Sequence, residues 1–242
     1  MTLNAVIPYD HLSNPVSSGK LKLALGNPGW CNERFDRLNA LDTSYVPMIR
    51  KFILGSEFDQ AKVAAAANPS RTWILGKRPD ATTGQWKATP QQYLAAAQNW
   101  SAQFGTSKMV FPNIAWSGEL SRVWLQQYLT LSNRVIPGIW GIQLKVSSFQ
   151  NPYEWELAYN NFKAFVVQYG VDRPVWITAI NGYVDKTSLH SNGLPFFWYS
   201  SYDYSGDAWA TQFNLSNLSG STLTRHGEKF RDVISGSGGS TG

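Results

Sequence analysis

Short runs of hydrophobic, β-branched and aromatic residues alternate with longer, more polar stretches along the whole chain. This alternation is typical of parallel strands joined by crossover helices. Eight runs are predicted to be strands, at residues 21–26, 45–50, 72–76, 108–113, 138–145, 174–180, 195–201 and 211–216.

Three helices stand out between these runs. One follows Thr89 and Pro90, because threonine is a good helix cap and proline suits the first helical turn. The second is predicted between Tyr153 and Tyr169, and the third between residues 224 and 233.

Eight strand and helix units in 242 residues fit a single-domain (β/α)8 TIM barrel, which typically has about 250 residues. An open doubly wound sheet shows a similar alternation. No glycine-rich phosphate-binding motif follows the first predicted strand, so the barrel is favoured. We expect the barrel domain to span residues 1–234, and residues 235–242, SGSGGSTG, to be a flexible linker or tag remnant.

The composition predicts a protein that folds on its own as a soluble monomer. Hydrophobic residues make up 43% of the chain and charged residues 15%, which is enough to bury a sizeable core. Eleven tryptophans and eleven tyrosines serve either that core or a cleft whose flat walls stack on a ligand such as a sugar.

Several classes of partner are excluded by the pattern of charged and special residues. The net charge of +5 comes from scattered lysines and arginines, so no nucleic-acid module is predicted. Cys31 is the only cysteine, and the histidines lack metal-ligand spacing, so we expect no disulfide, metal or cofactor. The first ten residues lack a signal-peptide pattern, and no apolar run is long enough to span a membrane.

Chemistry in a barrel of this kind is located at the carboxyl ends of the strands. In this sequence those positions are cationic and aromatic, with few carboxylates. The candidate site residues are Arg50, Lys77, Arg78, Asn113, Trp116, Gln143, Lys145, Ala179, Asn181, Trp198, Tyr199, Tyr202 and Asp203.

Six stretches of the chain, in order, resemble a bacterial retaining glycoside-hydrolase barrel family. They are YVPMIRKF, RTWILGKRPD, TPQQYLAAAQNW, GIQLKV, RPVWITAING and STLTRHGEKF, which lie between Tyr45 and Val233. The family motifs are Gly-Asn-Glu-Pro-Asp after one strand, whose glutamate is the acid/base, and Trp-Ile-Thr-Glu-Phe-Gly in another, whose glutamate is the nucleophile. The resemblance places Arg78 and Ala179 at these two glutamate positions.

Retaining hydrolysis requires one carboxyl group to protonate the leaving oxygen and a second, about 5 Å away, to attack the sugar carbon. The departures from the family pattern therefore imply that this chain is not a glycoside hydrolase. The pattern also often has His and Tyr where this chain has Gln143 and Lys145, and Trp in place of Arg50. Because the barrel pattern persists while these positions change together, we favour deliberate redesign over a natural pseudoenzyme.

The first functional hypothesis is an amine-based enzyme. Lys145 lies two residues after Gln143 on a predicted strand, so both share one face. A lysine in an aromatic, cationic pocket loses its proton more easily and forms a Schiff base with a carbonyl substrate, as in retro-aldol chemistry. Lys77 is the second choice of nucleophile. In this hypothesis Arg78 stabilises negative charge.

The remaining candidates complete this hypothetical site. Tyr199 or Tyr202 moves protons beside the amine. The other candidate residues bind a small aromatic or carbonyl-containing substrate, and Ala179 leaves apolar space for it. On a regular strand Lys77 and Arg78 face opposite ways, and Arg78 is expected to face the mouth.

Three alternatives stay open. In the first alternative, the chain is a non-catalytic protein that holds sugars on its aromatic residues or an anion on Arg50 and Arg78. It uses Asp203, Asp80 or Glu57 as a base for proton abstraction, although such loop carboxylates are ordinarily solvated. Finally, it is a scaffold without a ligand, in which case residues such as Trp116 and Trp198 simply pack in the core.

Overall fold

A computed structural model describes residues 4–7, 22–26, 45–84, 86–116, 118–146, 154–182 and 196–198. The strands are β1 (Asn4–Ile7), β2 (Lys22–Gly26), β3 (Tyr45–Ile49), β4 (Trp73–Leu75), β5 (Met109–Ala115), β6 (Ile139–Val146), β7 (Val175–Gly182) and β8 (Phe196–Trp198). The helices among these residues are α1 (Ser56–Ala67), α2 (Pro90–Phe104), α3 (Glu119–Thr130) and α4 (Glu154–Gln168).

The strands form a closed barrel in chain order, and every neighbouring pair is parallel. The ring closes where β8 pairs with β1, with Asn4 opposite Phe197 and Ala5 opposite Trp198. The predicted α/β barrel of parallel strands is therefore confirmed. The four described helices follow β3, β4, β5 and β6, as the alternation predicts.

Seven of the eight predicted strands are observed, and the eighth lies outside the described residues. Seven of the predicted runs correspond to β2 to β8. Strand β1 was not predicted, because a run of four residues, followed in the sequence by Pro8, is too short to show a periodicity. The predicted strand at 211–216 and helix at 224–233 lie outside the described residues, as do Cys31 and the three histidines.

In strands β3 to β7, side chains that alternate along the strand belong to two different apolar clusters. Trp140, Ile142 and Leu144 of β6 belong to the large layer, which packs against the helices. A second, smaller cluster consists of strand residues alone and fills the interior of the barrel. Its buried members are Val46, Met48, Ile74 and Val110.

Tyr93 of α2 is the centre of the aromatic packing between helices and sheet. Its ring lies 5.1 Å from Phe52, 5.7 Å from Phe111 and 5.4 Å from Trp124, measured between ring centroids. The buried hydroxyl of Tyr93 donates a hydrogen bond to the carbonyl oxygen of Leu75. Burial raises the pKa of this phenol well above its usual value, so it stays protonated and holds the last residue of β4 in place.

Helix α2 begins as the sequence predicts. The hydroxyl of Thr89 accepts a hydrogen bond from the Gln92 amide at 3.2 Å, and the Gln92 side chain accepts one from the Thr89 amide at 3.0 Å. This reciprocal capping box, with Pro90 in the first turn, fixes where the preceding loop ends. In the described part of the chain, no helix has the length and apolar character needed to cross a membrane.

Candidate functional site

The chain leaves β4 at Gly76 in a way that only glycine permits. Gly76 has φ of +94°, and a Cβ atom there would lie 3.2 Å from Cε2 of Tyr93. Its amide donates to the carbonyl oxygen of Ile49 at 2.8 Å, so the turn is joined to the end of β3. Residues 77 and 78 therefore follow a turn and not a strand.

This early strand end corrects the expectation for Lys77 and Arg78. We expected them to face opposite ways because strand residues alternate, but β4 ends at Leu75. Arg78 has φ of +52°, which residues other than glycine, asparagine and aspartate rarely adopt. Its amide donates to the carbonyl oxygen of Asn113 at 3.1 Å, and its side chain is exposed.

Lys77 and Arg50 converge on a tryptophan that the sequence pattern did not single out. Nζ of Lys77 lies 5.2 Å, and Cζ of Arg50 5.9 Å, from the centroid of the Trp86 ring. The Lys77 amide also donates to the carbonyl oxygen of Arg50 at 2.9 Å, which holds the two residues side by side. We call Arg50, Lys77 and Trp86 the Trp86 cluster.

The loop that carries Trp86 is anchored on both sides. The Ala88 amide donates to the carbonyl oxygen of Pro79 at 3.1 Å, which closes the loop between β4 and α2. The indole nitrogen of Trp124 donates to the carbonyl oxygen of Ala88 at 2.8 Å, and the capping box of Thr89 follows directly. A half-buried ring on an anchored loop at the carboxyl ends of the strands is well placed to contact a ligand.

A buried polar network connects the turn after β4 with β5, β6 and β7. The Asn113 side chain donates to the carbonyl oxygen of Gly76 at 2.5 Å and accepts from the hydroxyl of Thr178. The Thr178 hydroxyl also lies 2.9 Å from the carbonyl oxygen of Ile142. Gly141 leaves room for this network, because a Cβ there would lie 3.3 Å from Cγ2 of Thr178.

Gln143 and Ala179 lie next to each other on β6 and β7. They are in register, and Ala115 of β5 is in register with Gln143 on the other side. Both Gln143 and Ala179 are buried, at 9% and 7% exposure. Strands β6 and β7 therefore bring together two of the predicted site residues, Gln143 and Ala179, which are far apart in the sequence.

Several predicted site residues are described only by their backbone or lie outside the described part. Lys145 and Asn181 are in register with each other, two residues beyond Gln143 and Ala179, and Trp198 ends β8. The side chains of these three residues lie outside the described part of the structure, as do Tyr199, Tyr202 and Asp203 entirely. Their predicted roles stay predictions.

Asp80 differs from the solvated loop carboxylate that we expected. It is 8% exposed, accepts a hydrogen bond from the Ser121 hydroxyl at 2.7 Å, and accepts a longer one from the Ala115 amide at 3.4 Å. Burial raises its pKa above the usual 3.8, although the Ser121 hydrogen bond, the Arg78 charge and the Ala115 amide each lower it. Asp80 thus joins the loop after β4 to the start of α3.

Similarity to known proteins is found in the fold and not in the sequence. No protein-family model matches the sequence, and no curated protein matches it. The fold does match solved structures. The chain has a glycoside-hydrolase-like barrel fold.

One similar structure is the exo-β-1,3-glucanase of glycoside hydrolase family GH128, subgroup III, from Blastomyces gilchristii, in complex with glucose. It has a TM-score of 0.63 and 16% identity, over 94% of this chain and 96% of that one. A glutamate-to-alanine variant of the subgroup I endo-β-1,3-glucanase from Amycolatopsis mediterranei, in complex with laminaripentaose, has a TM-score of 0.63 and 16% identity. That match covers 96% of this chain and 99% of the other.

A third similar structure is an oligosaccharide-binding protein, subgroup VII of GH128, from Trichoderma gamsii. It has a TM-score of 0.60 and 12% identity, over 98% of this chain and 94% of that one. At these identities the similarity establishes the barrel architecture, and the chemistry has to be argued from the residues of this chain.

Trp116 of this glycoside-hydrolase-like barrel packs against a helix. Its ring centroid lies 5.1 Å from that of Phe162 and 5.3 Å from that of Phe165, both on α4. Its backbone amide donates to the carbonyl oxygen of Gln143 at 3.0 Å. The sequence left ligand stacking and core packing open for this residue, and these contacts are core packing.

Two residues of the site, Trp86 and Thr178, were not predicted from the sequence. Trp86 lies in a loop between a strand and a helix, and in a glycoside-hydrolase-like barrel such loops border the mouth. That location was a usable signal. Thr178 had no comparable signal, because its partner Asn113 is 65 residues away.

Proposed function

We propose that this chain binds oligosaccharides at the mouth of its barrel and does not hydrolyse them. The observation that carries the proposal is that the described loops after β3, β4 and β5 contain no pair of carboxylic acids. In the described loops after β3, β4 and β5, Asp80 is the one carboxylic acid, and it is buried against Ser121 and Ala115.

Hydrolysis with retention needs an acid/base and a nucleophile about 5 Å apart. Arg78 and Ala179 stand where the resemblance places those two groups. A guanidinium group does not donate its proton near neutral pH, and a methyl group is not a nucleophile. The site as described therefore supports binding better than glycoside hydrolysis.

The ligand class is supported by Trp86 and by the fold. Amphipathic indole rings stack on the apolar faces of sugars, and Trp86 is half-buried on an anchored loop at the mouth. One protein of the same fold is an oligosaccharide-binding protein, and another was solved with laminaripentaose. We extend the observed α/β barrel to a complete (β/α)8 architecture in this proposal.

The test is calorimetric titration with a panel of neutral and acidic oligosaccharides, together with an assay for newly formed reducing ends. We expect saturable binding of at least one oligosaccharide and no reducing ends. Trp86→Ala should weaken that binding about tenfold or more, and Trp86→Phe less, because a phenyl ring keeps part of the stacking. Reducing-end release, or no binding across the panel, would contradict the proposal.

The amine-based enzyme is the second candidate. The observation that favours it is the backbone position of Lys145, two residues beyond the buried Gln143 at the carboxyl end of β6. In this alternative a redesigned barrel uses Lys145 on an aromatic or carbonyl-containing substrate.

Borohydride trapping with a 1,3-diketone, followed by peptide mapping, separates the two candidates. The binding proposal expects no covalent adduct. A single adduct that disappears in Lys145→Ala, and persists in Lys77→Ala, would replace the binding proposal with the amine-based enzyme.

A further inference from the structure

The described loops at the mouth carry a marked excess of positive charge. Five lysines and arginines lie in the loops after β3 and β4, at positions 50, 51, 77, 78 and 87, against the single carboxylic acid of Asp80. That acid is directed to Ser121 and the Ala115 amide. The Arg78 charge lowers the pKa of Asp80, so this acid offsets part of the Arg78 charge, but positive groups still outnumber acids in these loops.

Two of these cations lie over the ring that the proposed function assigns to sugar stacking. Lys77 and Arg50 are 5.2 and 5.9 Å from the centroid of Trp86. Each cation–π contact is favourable, and more so where the cation is shielded from water. A neutral sugar that stacks on the same face has to displace a cation from the ring and loses that contact.

For an acidic sugar, the loss of the cation–π contact is offset. Its anionic group pairs with the displaced or shifted cation, and hydrogen bonds between charged groups are roughly twice as strong as neutral ones. Arginine adds a planar donor fork that matches carboxylate and sulfate oxygens. The cluster therefore discriminates between ligands by their charge.

Arg78 adds a third cation near the cluster. Its backbone is held at φ of +52° by hydrogen bonds from its amide to Asn113 and from the Ala81 amide to its carbonyl. A left-handed conformation is strained for a residue other than glycine. The hydrogen bonds of the turn hold Arg78 in this strained conformation. The Arg78 side chain is exposed, and it follows Lys77 directly in the chain.

We propose that the ligand of this site is an anionic oligosaccharide, whose carboxylate or sulfate groups bind Lys77 and Arg50 while a sugar ring contacts Trp86. This inference rests on the proposed function and narrows it to one class of glycan. It differs from a site for neutral glucans, because the discrimination comes from the cations of the Trp86 cluster.

The experiment compares ligands that differ only in charge. The first pair is a tetragalacturonate and its fully methyl-esterified form, and the second is a laminari-oligosaccharide with and without sulfate groups. In calorimetry at fixed salt, we expect the anionic member of at least one pair to bind about tenfold more tightly than its neutral partner. The pair that shows this preference identifies the anionic group.

Lys77→Gln is the test variant and Lys87→Gln the matched control, since both remove one positive charge from the same loop and Lys87 is exposed beside Trp86 in the chain. Lys77→Gln should weaken binding of the anionic ligand about fivefold or more and leave the neutral ligand within about twofold. Lys87→Gln should change either affinity less than about twofold. Arg50→Gln should reproduce the Lys77→Gln pattern, with thermal unfolding confirming that the variant is folded.

The outcomes separate this inference from the proposed function. Equal binding of charged and neutral members in both pairs overturns the inference and leaves oligosaccharide binding intact. Equal losses in Lys77→Gln and Lys87→Gln also overturn it, because a diffuse field would then explain the preference. If neither member of either pair binds, both the inference and the proposed oligosaccharide binding lose their support.

Discussion

The side-chain amide nitrogen of Asn113 lies 2.5 Å from the carbonyl oxygen of Gly76, across the boundary between β5 and β4. The amide oxygen of the same side chain accepts from the hydroxyl of Thr178 on β7. One fully buried residue therefore links β5 to the turn after β4 and to β7. The positions of Lys77 and Arg78, which follow Gly76 directly, depend on this tie.

Asn113→Ala should destabilise the protein by about 2 to 4 kcal/mol in denaturant unfolding. Two buried hydrogen bonds are lost, and each unsatisfied partner costs about 1 to 3 kcal/mol. Alanine is also strained at the observed φ of +58°. Asn113→Gly removes the same hydrogen bonds without backbone strain, so it should be the less destabilising variant. A loss below about 1 kcal/mol in both variants would show that the network does not hold the strand ends.

Gly76→Ala should be more destabilising than Gly105→Ala. Both glycines have positive φ, at +94° and +69°, so alanine is strained at both positions. Only the Cβ at position 76 meets a buried ring, whereas nothing lies within 4 Å of a Cβ at position 105. We expect the contact with Tyr93 to add about 1 to 3 kcal/mol to the loss of stability, measured by chemical unfolding of both variants. Equal losses would mean that Tyr93 moves aside without cost.

Asp80 should make the wild type less stable relative to Asp80→Asn as the pH rises. Its pKa in the folded state is raised above the usual 3.8, so the folded state binds the proton more tightly than the unfolded state does. This contribution to stability is fully present below the unfolded pKa and is lost as the pH rises through the folded pKa. The free energies of unfolding of both proteins should be measured between roughly pH 3 and pH 7. The wild-type value minus the Asp80→Asn value should fall as the pH rises.

Ser121→Ala is the matched variant for the Asp80 prediction. The Ser121 hydroxyl donates to the Asp80 carboxylate and lowers its pKa, so removing the hydroxyl should extend the window to higher pH. If the wild-type free energy of unfolding minus that of Asp80→Asn rose with pH, the hydrogen bonds and the Arg78 charge would outweigh burial in setting the Asp80 pKa.

Thr89→Ala should cost about 1 kcal/mol of stability through loss of the helix cap. Because Thr89 and Gln92 cap each other, the double variant with Gln92→Ala should be less destabilising than the sum of the single variants. The free energies of unfolding of the wild type, the two single variants and the double variant, from thermal or denaturant unfolding, complete this double-mutant cycle. Strict additivity would show that the two hydrogen bonds act independently.

The sequence determined the alternation of strands and helices, because hydrophobic periodicity and capping residues are local properties of the chain. Thr89 and Pro90 marked the start of α2, and the local pattern of apolar residues was enough to locate seven strands. The sequence also placed Arg50 and Lys77 after strands, and they do follow β3 and β4. Gln143 and Ala179 were predicted at strand ends but lie inside β6 and β7. Strand β1 was not predicted, because four residues are too few to show a hydrophobic periodicity.

Only the tertiary structure decided which of those residues meet and what surrounds them. Because β4 ends at Leu75 and the chain turns at Gly76, Lys77 lies beside Arg50 and over Trp86, a contact that strand alternation did not predict. Asp80 became buried because Ser121, 41 residues further along the chain, supplies its hydrogen bond. Such contacts arise when a closed barrel brings distant loops to one rim, and local sequence patterns carry no record of these distances.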